Sequence, residues 1–148
     1  MRWLGVDAGL ARVGLAICDP DERIAVPLEV VPANVAFPAI RTIVLRDGVQ
    51  GVVVGLPLTP RGLEEGSARM ARRLGERIER SLGLPVEYED ERLTSVEAER
   101  LDARGRGDRR PSDDLAAVLI LEQFLARRRA QAAGREAPGT EEAHDADA

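Results

Sequence analysis

Three carboxylates stand at the ends of predicted secondary-structure elements. Asp7 ends the first predicted strand, Glu91 follows the fifth, and Asp113 begins the last predicted helix. Ligand-binding groups of α/β proteins gather where strands end, so these three side chains can converge if the first and fifth strands lie close in the sheet. Mg²⁺ is held by a few carboxylates together with water and phosphate oxygens. The pattern indicates a divalent-cation site for phosphodiester hydrolysis, with two ions about 4 Å apart.

The same acids also have ordinary structural interpretations. Asp113 and its neighbour Asp114 would stabilise a helix N-terminus through the helix dipole without binding an ion. Glu97 fits the end of a capping box over residues 94–97, so it is better explained as a cap than as a ligand. On spacing alone, both interpretations of the carboxylates stay open.

Arginines are the candidates for binding nucleic-acid phosphates. All 21 basic residues are Arg. Four of them share a glycine-containing loop shortly before Asp113, where only Asp108 offsets their charge, so this loop is predicted to bind phosphates. They are Arg104, Arg106, Arg109 and Arg110. The arginines of the predicted helix over residues 63–82 alternate with glutamates, which is typical of a solvated surface.

Several other chemistries lack their residues. The single cysteine, Cys18, lies in mid-strand and excludes an internal disulfide or a thiolate zinc cluster. The one histidine, His144, lies in the C-terminal tail, away from any candidate nucleophile. Residues 5–9 match neither dinucleotide-binding nor P-loop patterns. Gly55 follows a buried strand and would let a phosphate approach the backbone, although a plain strand-to-helix turn explains it equally well.

The chain is predicted to form an α/β domain with a five-stranded mixed sheet. Three β-rich runs precede any helical pattern, which predicts that the first three strands are antiparallel and that helices then cover both faces of the sheet. The elements are three strands within residues 2–31, a helix capped by Asn34 and ended by Gly48, a strand over 52–54, a helix over 63–82, a strand over 84–89, a helix from Thr94, and a last helix capped by Ser112.

Length and charge limit the class of protein. The 148 residues suit one domain, predicted over residues 1–132, followed by a disordered acidic tail over 133–148. The net charge of −5 comes mostly from that tail, so the rest is nearly neutral, which argues against a nucleic-acid packaging protein. The longest apolar run, residues 115–121, is too short to cross a membrane, and no secretory signal is present. We therefore expect a cytoplasmic protein.

Four segments resemble the motifs of the bacterial YqgF (RuvX-like) family, in the same order and at matching spacings. They are LGVDAGLARVGLAICD, VVVGLPLTPRG, YEDERLTSVEAER and SDDLAAVLILEQFL. This family belongs to the RNase H-like superfamily and is described as a pre-16S rRNA nuclease or a Holliday junction resolvase-like protein. The resemblance covers about residues 2–128. It implies an RNase H-like fold and a nuclease centre that uses Mg²⁺ or Mn²⁺, with two ions.

The resemblance also implies roles for individual carboxylates. The family's first-strand aspartate falls on Asp7, its glutamate on Glu91, and its last-helix aspartate on Asp113, because Ala116 and Ala117 set the register. Asp114 is the alternative for the last role and a further candidate metal ligand.

Other positions partly match the family. Gly55 opens the matching Gly-Leu-Pro-Leu loop, and Arg92 matches the arginine beside the glutamate. After the first aspartate the family has an aromatic residue and later a Thr-Lys pair, which this chain lacks, so Arg12 alone supplies a positive charge in that turn. The departing residues are Ala8, Leu10 and Ala11.

The leading prediction is a metal-dependent nuclease that acts on structured nucleic acid, leaves a 5′-phosphate, and serves 5′-end maturation of pre-16S rRNA. The alternatives are a Holliday junction resolvase-like DNA nuclease and a non-catalytic RNA-binding maturation factor. An actin-like or sugar-kinase-like ATP-binding protein shares the Asp-x-Gly opening, but it needs a second half with its own phosphate loop. The oligomeric state, monomer or weak homodimer, stays open.

Overall fold

A computed structural model of the chain describes residues 1–91 and 113–146, with side chains described as far as Gly134 in the second range. The predicted helix from Thr94 lies outside the described residues.

Five strands form one mixed sheet, as predicted. The order is β3-β2-β1-β4-β5, in which β2 pairs antiparallel with β1 and with β3, whereas β4 and β5 run parallel to β1. All six residues of β4 are buried, as expected for a β-branched strand covered on both faces. The strands are β1 (Trp3–Ala8), β2 (Arg12–Cys18), β3 (Ala25–Pro32), β4 (Gly51–Leu56) and β5 (Val86–Asp90).

Helices cover both faces of this sheet, which confirms the predicted architecture. α1 (Ala36–Asp47) and α2 (Gly66–Leu82) pack on one face, and α3 (Asp113–Ala146) packs on the other. Gly48 and Gly83 follow α1 and α2 with left-handed φ angles of 67° and 68°, a conformation that ends a helix and favours glycine.

Two helices begin later than the sequence predicts. Asn34 is not the cap of α1, because it lies in a 3-10 turn (Ala33–Val35) and Val35 takes the N-cap position without a side-chain cap. α2 begins at Gly66 because Thr59 closes the preceding loop: its hydroxyl accepts the N–H of Leu63 at 3.0 Å. Such side-chain bonds compete with the first helical turn.

α3 continues beyond the predicted end of the domain. Its backbone is helical to Ala146, whereas the sequence analysis predicts disorder from residue 133. Alanines support the extension because alanine has the highest intrinsic helix propensity, and Ala130, Ala132 and Ala133 lie at the junction. The domain boundary at residue 132 stays a prediction. Despite this length, no helix in the described part of the chain is long and apolar enough to cross a membrane.

Candidate active site

Asp7 and Glu91 meet at the edge of the sheet where β1, β4 and β5 end. The three strands are parallel, so their carboxyl ends lie at the same edge. β1 and β5 are not neighbours, because β4 lies between them. Glu91 directly follows β5, and its side chain forms a hydrogen bond with the side chain of Asp7. Tertiary structure thus joins two carboxylates that are 84 positions apart in the chain.

Gly55 leaves the space through which Glu91 reaches Asp7. A Cβ atom at Gly55 would lie 2.6 Å from Oε2 and 2.8 Å from Cγ of Glu91, and 2.5 Å from Cδ1 of Ile120. Any larger residue would therefore displace the glutamate side chain. From sequence, Gly55 is predicted to let a phosphate approach the backbone; in the structure its neighbour is Glu91, and the phosphate contact stays a prediction.

Gly14 brings the start of α3 next to Asp7. Asp7 and Gly14 are direct partners in the antiparallel pair of β1 and β2. A Cβ atom at Gly14 would lie only 2.0 Å from the carbonyl oxygen of Asp113 and 3.0 Å from the backbone nitrogen of Asp114. The first turn of α3 therefore rests on bare backbone. Gly14 is not among the site residues predicted from sequence, although a glycine inside an apolar strand is a signal of close backbone approach.

Arg12 binds the third carboxylate. Its Nε donates a hydrogen bond to Oδ2 of Asp113 at 3.1 Å, across a partly exposed part of the site. The charge of Asp113 acts on Asp7, so Asp113 lies within electrostatic reach of the pair. Oδ1 of Asp114 accepts the N–H of Leu115 at 2.9 Å. These contacts favour Asp113 over Asp114 as the third site carboxylate.

The electrostatics of the pair follow from its burial. Burial and the nearby charge of Asp7 raise the pKa of Glu91 to about 8. Burial also raises the pKa of Asp7, although the hydrogen bond from Glu91 opposes this effect. Two carboxyl groups that share a low-dielectric site cannot easily both ionise, so they retain a proton near neutral pH.

The donor set fits a hard divalent cation. Carboxylate oxygens are the ligands such ions prefer, and a cation would offset the burial and the repulsion between carboxylates that raise the pKa values of Asp7 and Glu91. Within residues 1–91 and 113–146, however, no three acidic, histidine or cysteine side chains are arranged to hold one ion. Oδ2 of Asp113 accepts a hydrogen bond from Arg12, so in this arrangement that oxygen is directed to the guanidinium.

Glu89 is a buried carboxylate that the sequence analysis missed. It is 5% exposed, lies two residues before Glu91, and accepts hydrogen bonds from Arg127 and from Nε2 of Gln123 at 2.6 Å. Both donors belong to α3, so Glu89 ties the end of β5 to the helix that begins at Asp113. Glu89 shares a strand face with the exposed Glu87, so the sequence of this short strand carries no signal that Glu89 is buried.

The remaining predicted nucleic-acid contacts lie outside the described residues. This holds for the arginine beside Glu91 and for the predicted phosphate-binding loop, so their roles stay predictions. The residues are Arg92, Arg104, Arg106, Arg109 and Arg110.

Comparison with known proteins gives consistent matches. A family model described as "RuvX: Holliday junction resolvase" matches residues 1–127. A protein of Anaeromyxobacter sp. (strain K), named "Putative pre-16S rRNA nuclease", is 47% identical over 135 residues, which cover 86% of this chain and 98% of the relative. A protein of the same name from Lactobacillus delbrueckii subsp. bulgaricus is 36% identical over 136 residues, or 84% of this chain and 96% of the relative.

Solved structures share the fold. The structure of T. thermophilus RuvC in complex with Holliday junction substrate matches with a TM-score of 0.60 at 19% identity, over 87% of this chain and 96% of that one. At this identity the match shows a common fold.

Proposed function

The chain belongs to the RuvX family of nucleases, and we propose that its active site is the carboxylate cluster at the edge where β1, β4 and β5 end. The observation that carries this assignment is the contact between Asp7 and Glu91 above Gly55, with Asp113 placed beside it on Gly14. Two glycines thus leave room for acidic groups from three separate segments to gather at one point.

Asp7, Glu91 and Asp113 would hold Mg²⁺ or Mn²⁺, as two ions, with Asp114 as the alternative ligand from α3. Such ions supply Lewis-acid chemistry: they activate an attacking water and stabilise charge on the leaving oxygen. Hydrolysis by this route would leave a 5′-phosphate, as in the RNase H-like superfamily.

The chain's own residues orient the substrate around this cluster. Arg12 is 70% exposed and bonded only at its Nε to Asp113 in the contacts described, so the rest of its guanidinium can donate to a phosphate. The contacts of Glu89 with Arg127 and Gln123 join the end of β5, which Glu91 follows, to α3, which begins at Asp113.

The proposed substrate is the precursor of 16S rRNA, whose 5′ end this nuclease would mature. The support is the name shared by relatives that match this chain over nearly their whole length. We place the protein in the cytoplasm, where ribosomes are assembled, as a monomer or a weak homodimer.

A four-way DNA junction is the second candidate substrate. The specific observation in its favour is the description of the matching family as a Holliday junction resolvase. A resolvase would act in recombination or repair, and it would cut branched DNA in preference to an rRNA precursor.

Cleavage assays on both substrates test the proposal. The wild-type chain and Asp7→Asn are incubated with end-labelled pre-rRNA leader and with a four-way DNA junction, in Mn²⁺, Mg²⁺ or EDTA. Asp21→Asn is the matched control, because Asp21 is an exposed turn residue that follows the end of β2 beside the start of β1, at the opposite edge of the sheet from Asp7. We expect metal-dependent cleavage in the wild type and control and its loss in Asp7→Asn.

Each result has a definite meaning. Unchanged cleavage by Asp7→Asn would overturn the site assignment. If the four-way DNA junction were cut in preference to the pre-rRNA leader, the function would be junction resolution and not rRNA maturation. Binding of the leader without cleavage in any metal would favour a non-catalytic RNA-binding maturation factor.

A further inference from the structure

A cavity of about 240 Å³ opens on the face of the sheet opposite the carboxylate cluster. Its walls are the end of β1, the junction of β3 with α1, and one side of α2. Most of the lining is small or apolar, as at Ala8, Ala33, Ala36 and Met70. Alanines at three of these positions leave the space open, because longer side chains would project into it.

The charged side chains that line this apolar cavity are positive. Arg73 and Arg77, one turn apart on α2, both line it. The guanidinium carbon of Arg77 lies over the ring of Phe37, 4.0 Å from its centroid, which holds this exposed side chain against α1. The first turn of α1 has no acidic residue and no side-chain cap, so its N-terminal dipole adds to the positive potential.

The cavity adjoins the active-site edge of the sheet. Ala8, which lines it, is the residue after Asp7, and successive side chains of a strand point to opposite faces. The backbone of the following turn is held in place, since the N–H of Gly9 donates to the carbonyl of Arg12 at 2.9 Å and the N–H of Ala33 donates to the carbonyl of Ala11 at 2.9 Å. A ligand that bends around this edge can reach both sites.

We propose that this cavity binds one unpaired nucleotide of the nucleic-acid substrate, with the base in the apolar part and a flanking phosphate at Arg73 and Arg77. An inorganic anion would leave the apolar walls unfilled, and an uncharged apolar ligand would not use the two arginines. A nucleotide fits both the apolar walls and the two arginines. Its base buries apolar surface and stacks on a guanidinium plane, and its phosphate accepts hydrogen bonds. The proposal rests on the proposed nuclease function.

Binding measurements in EDTA test the proposal without cleavage. A fluorescently labelled single-stranded RNA oligonucleotide is titrated with the full-length chain, and AMP serves as competitor. The test variants are Arg73→Gln with Arg77→Gln, and Ala33→Leu, which fills the cavity without changing charge. The matched control is Arg69→Gln with Arg80→Gln, since these exposed arginines lie on the same helix but do not line the cavity.

Both test variants should weaken oligonucleotide binding about tenfold relative to the control pair, because base stacking and the phosphate contact are lost. AMP should compete with the oligonucleotide in the wild type and fail to compete in Ala33→Leu. Far-UV circular dichroism checks that each variant is folded.

Three results would overturn the proposal. If the test pair and the control pair of arginine substitutions weakened oligonucleotide binding equally, the loss would reflect only the net charge of α2. Normal binding by folded Ala33→Leu would exclude a base in the cavity. Binding of AMP that leaves oligonucleotide affinity unchanged would make this a site for free nucleotide rather than for the strand. The Asp7→Asn cleavage assay is independent of these measurements, so failure of the cavity proposal and failure of the nuclease site are distinguishable.

Discussion

The two faces of the sheet are built from different residues. The face under α1 and α2 is aliphatic, with Leu4, Val6, Leu15, Val52 and Val54 fully buried. The face under α3 alternates apolar residues with glycine at positions 5, 14, 51 and 55. Added Cβ atoms there would collide with α3, with Glu91 or with the ring of Trp3.

This difference predicts that one face of the sheet contributes mainly to the stability of the fold and the other mainly to cleavage. Aliphatic side chains fill the space between sheet and helices and remove much apolar surface from water. Glycines instead leave room for close approach: Gly14 lets the start of α3 lie beside Asp7, and Gly55 leaves space for Glu91, which contacts Asp7. Substitutions on the first face should therefore reduce stability, and substitutions on the second should reduce cleavage more than stability.

Ile78→Ala should have the largest effect on stability. Ile78 of α2 is fully buried against the aliphatic face of the sheet. Removing its side chain leaves a cavity that costs about 2–5 kcal/mol of unfolding free energy. Urea denaturation measures the loss, with Leu45→Ala as control because Leu45 is 77% exposed. Cleavage per folded molecule should be unchanged. An equal loss of cleavage would contradict the prediction that this face serves stability and not catalysis.

Gly14→Ala should cost less stability and more activity. The added methyl group collides with the backbone of Asp113, which cannot rotate away as a side chain can, so the start of α3 must move. We expect a loss of about 1–3 kcal/mol in unfolding free energy and of about a hundredfold in cleavage rate. Gly66→Ala is the matched control, because nothing lies within 4 Å of its added Cβ. Full activity in Gly14→Ala would show that cleavage does not depend on the placement of Asp113 beside Asp7.

Gly55→Ala should have an intermediate effect. Its methyl group meets the ends of two side chains, Glu91 and Ile120, which can turn aside. The expected cost is about 1 kcal/mol of stability, with a drop of about tenfold in cleavage rate. A drop in kcat without a change in KM would place the effect on the catalytic carboxylate, whereas a rise in KM alone would make Gly55 a phosphate contact.

Glu22→Gln should have the smallest effect, because Glu22 contacts α3 at Arg128, about four turns from Asp113. Arg128 donates hydrogen bonds to Glu22, which lowers the pKa of that carboxyl below its ordinary value of 4.5. The stabilisation is present above pH 4.5 and is lost as the pH falls through the lowered pKa. We expect a cost of no more than about 1 kcal/mol at pH 7.

Thermal unfolding across the pH range measures this cost, with Glu29→Gln as an exposed control. The difference between wild type and Glu22→Gln should vanish in acid. A difference that persists there would mean that the side chain acts through packing rather than charge.

The sequence predicted most of the elements because their signals are local. Alternating apolar residues marked the strands, the helical repeat marked α1 and α2, and the glycines at 48 and 83 marked their ends. The starts of α1 and α2 were wrong because the 3-10 turn and the hydroxyl of Thr59 are local competitors that periodicity does not register. The three carboxylates were singled out by their places at element ends, and resemblance to a family matched the same positions; their role at the site stays a proposal.

Residue types and their order determined that this chain forms a mixed sheet covered on both faces, and that acidic groups stand at element ends. Only the tertiary structure decided that β4 lies between β1 and β5, that Gly14 and Gly55 make room for Asp113 and Glu91, and that Glu89 is buried against α3. The physical reason is that periodicity reports which face of an element is apolar, whereas a close approach depends on which distant backbone lies opposite.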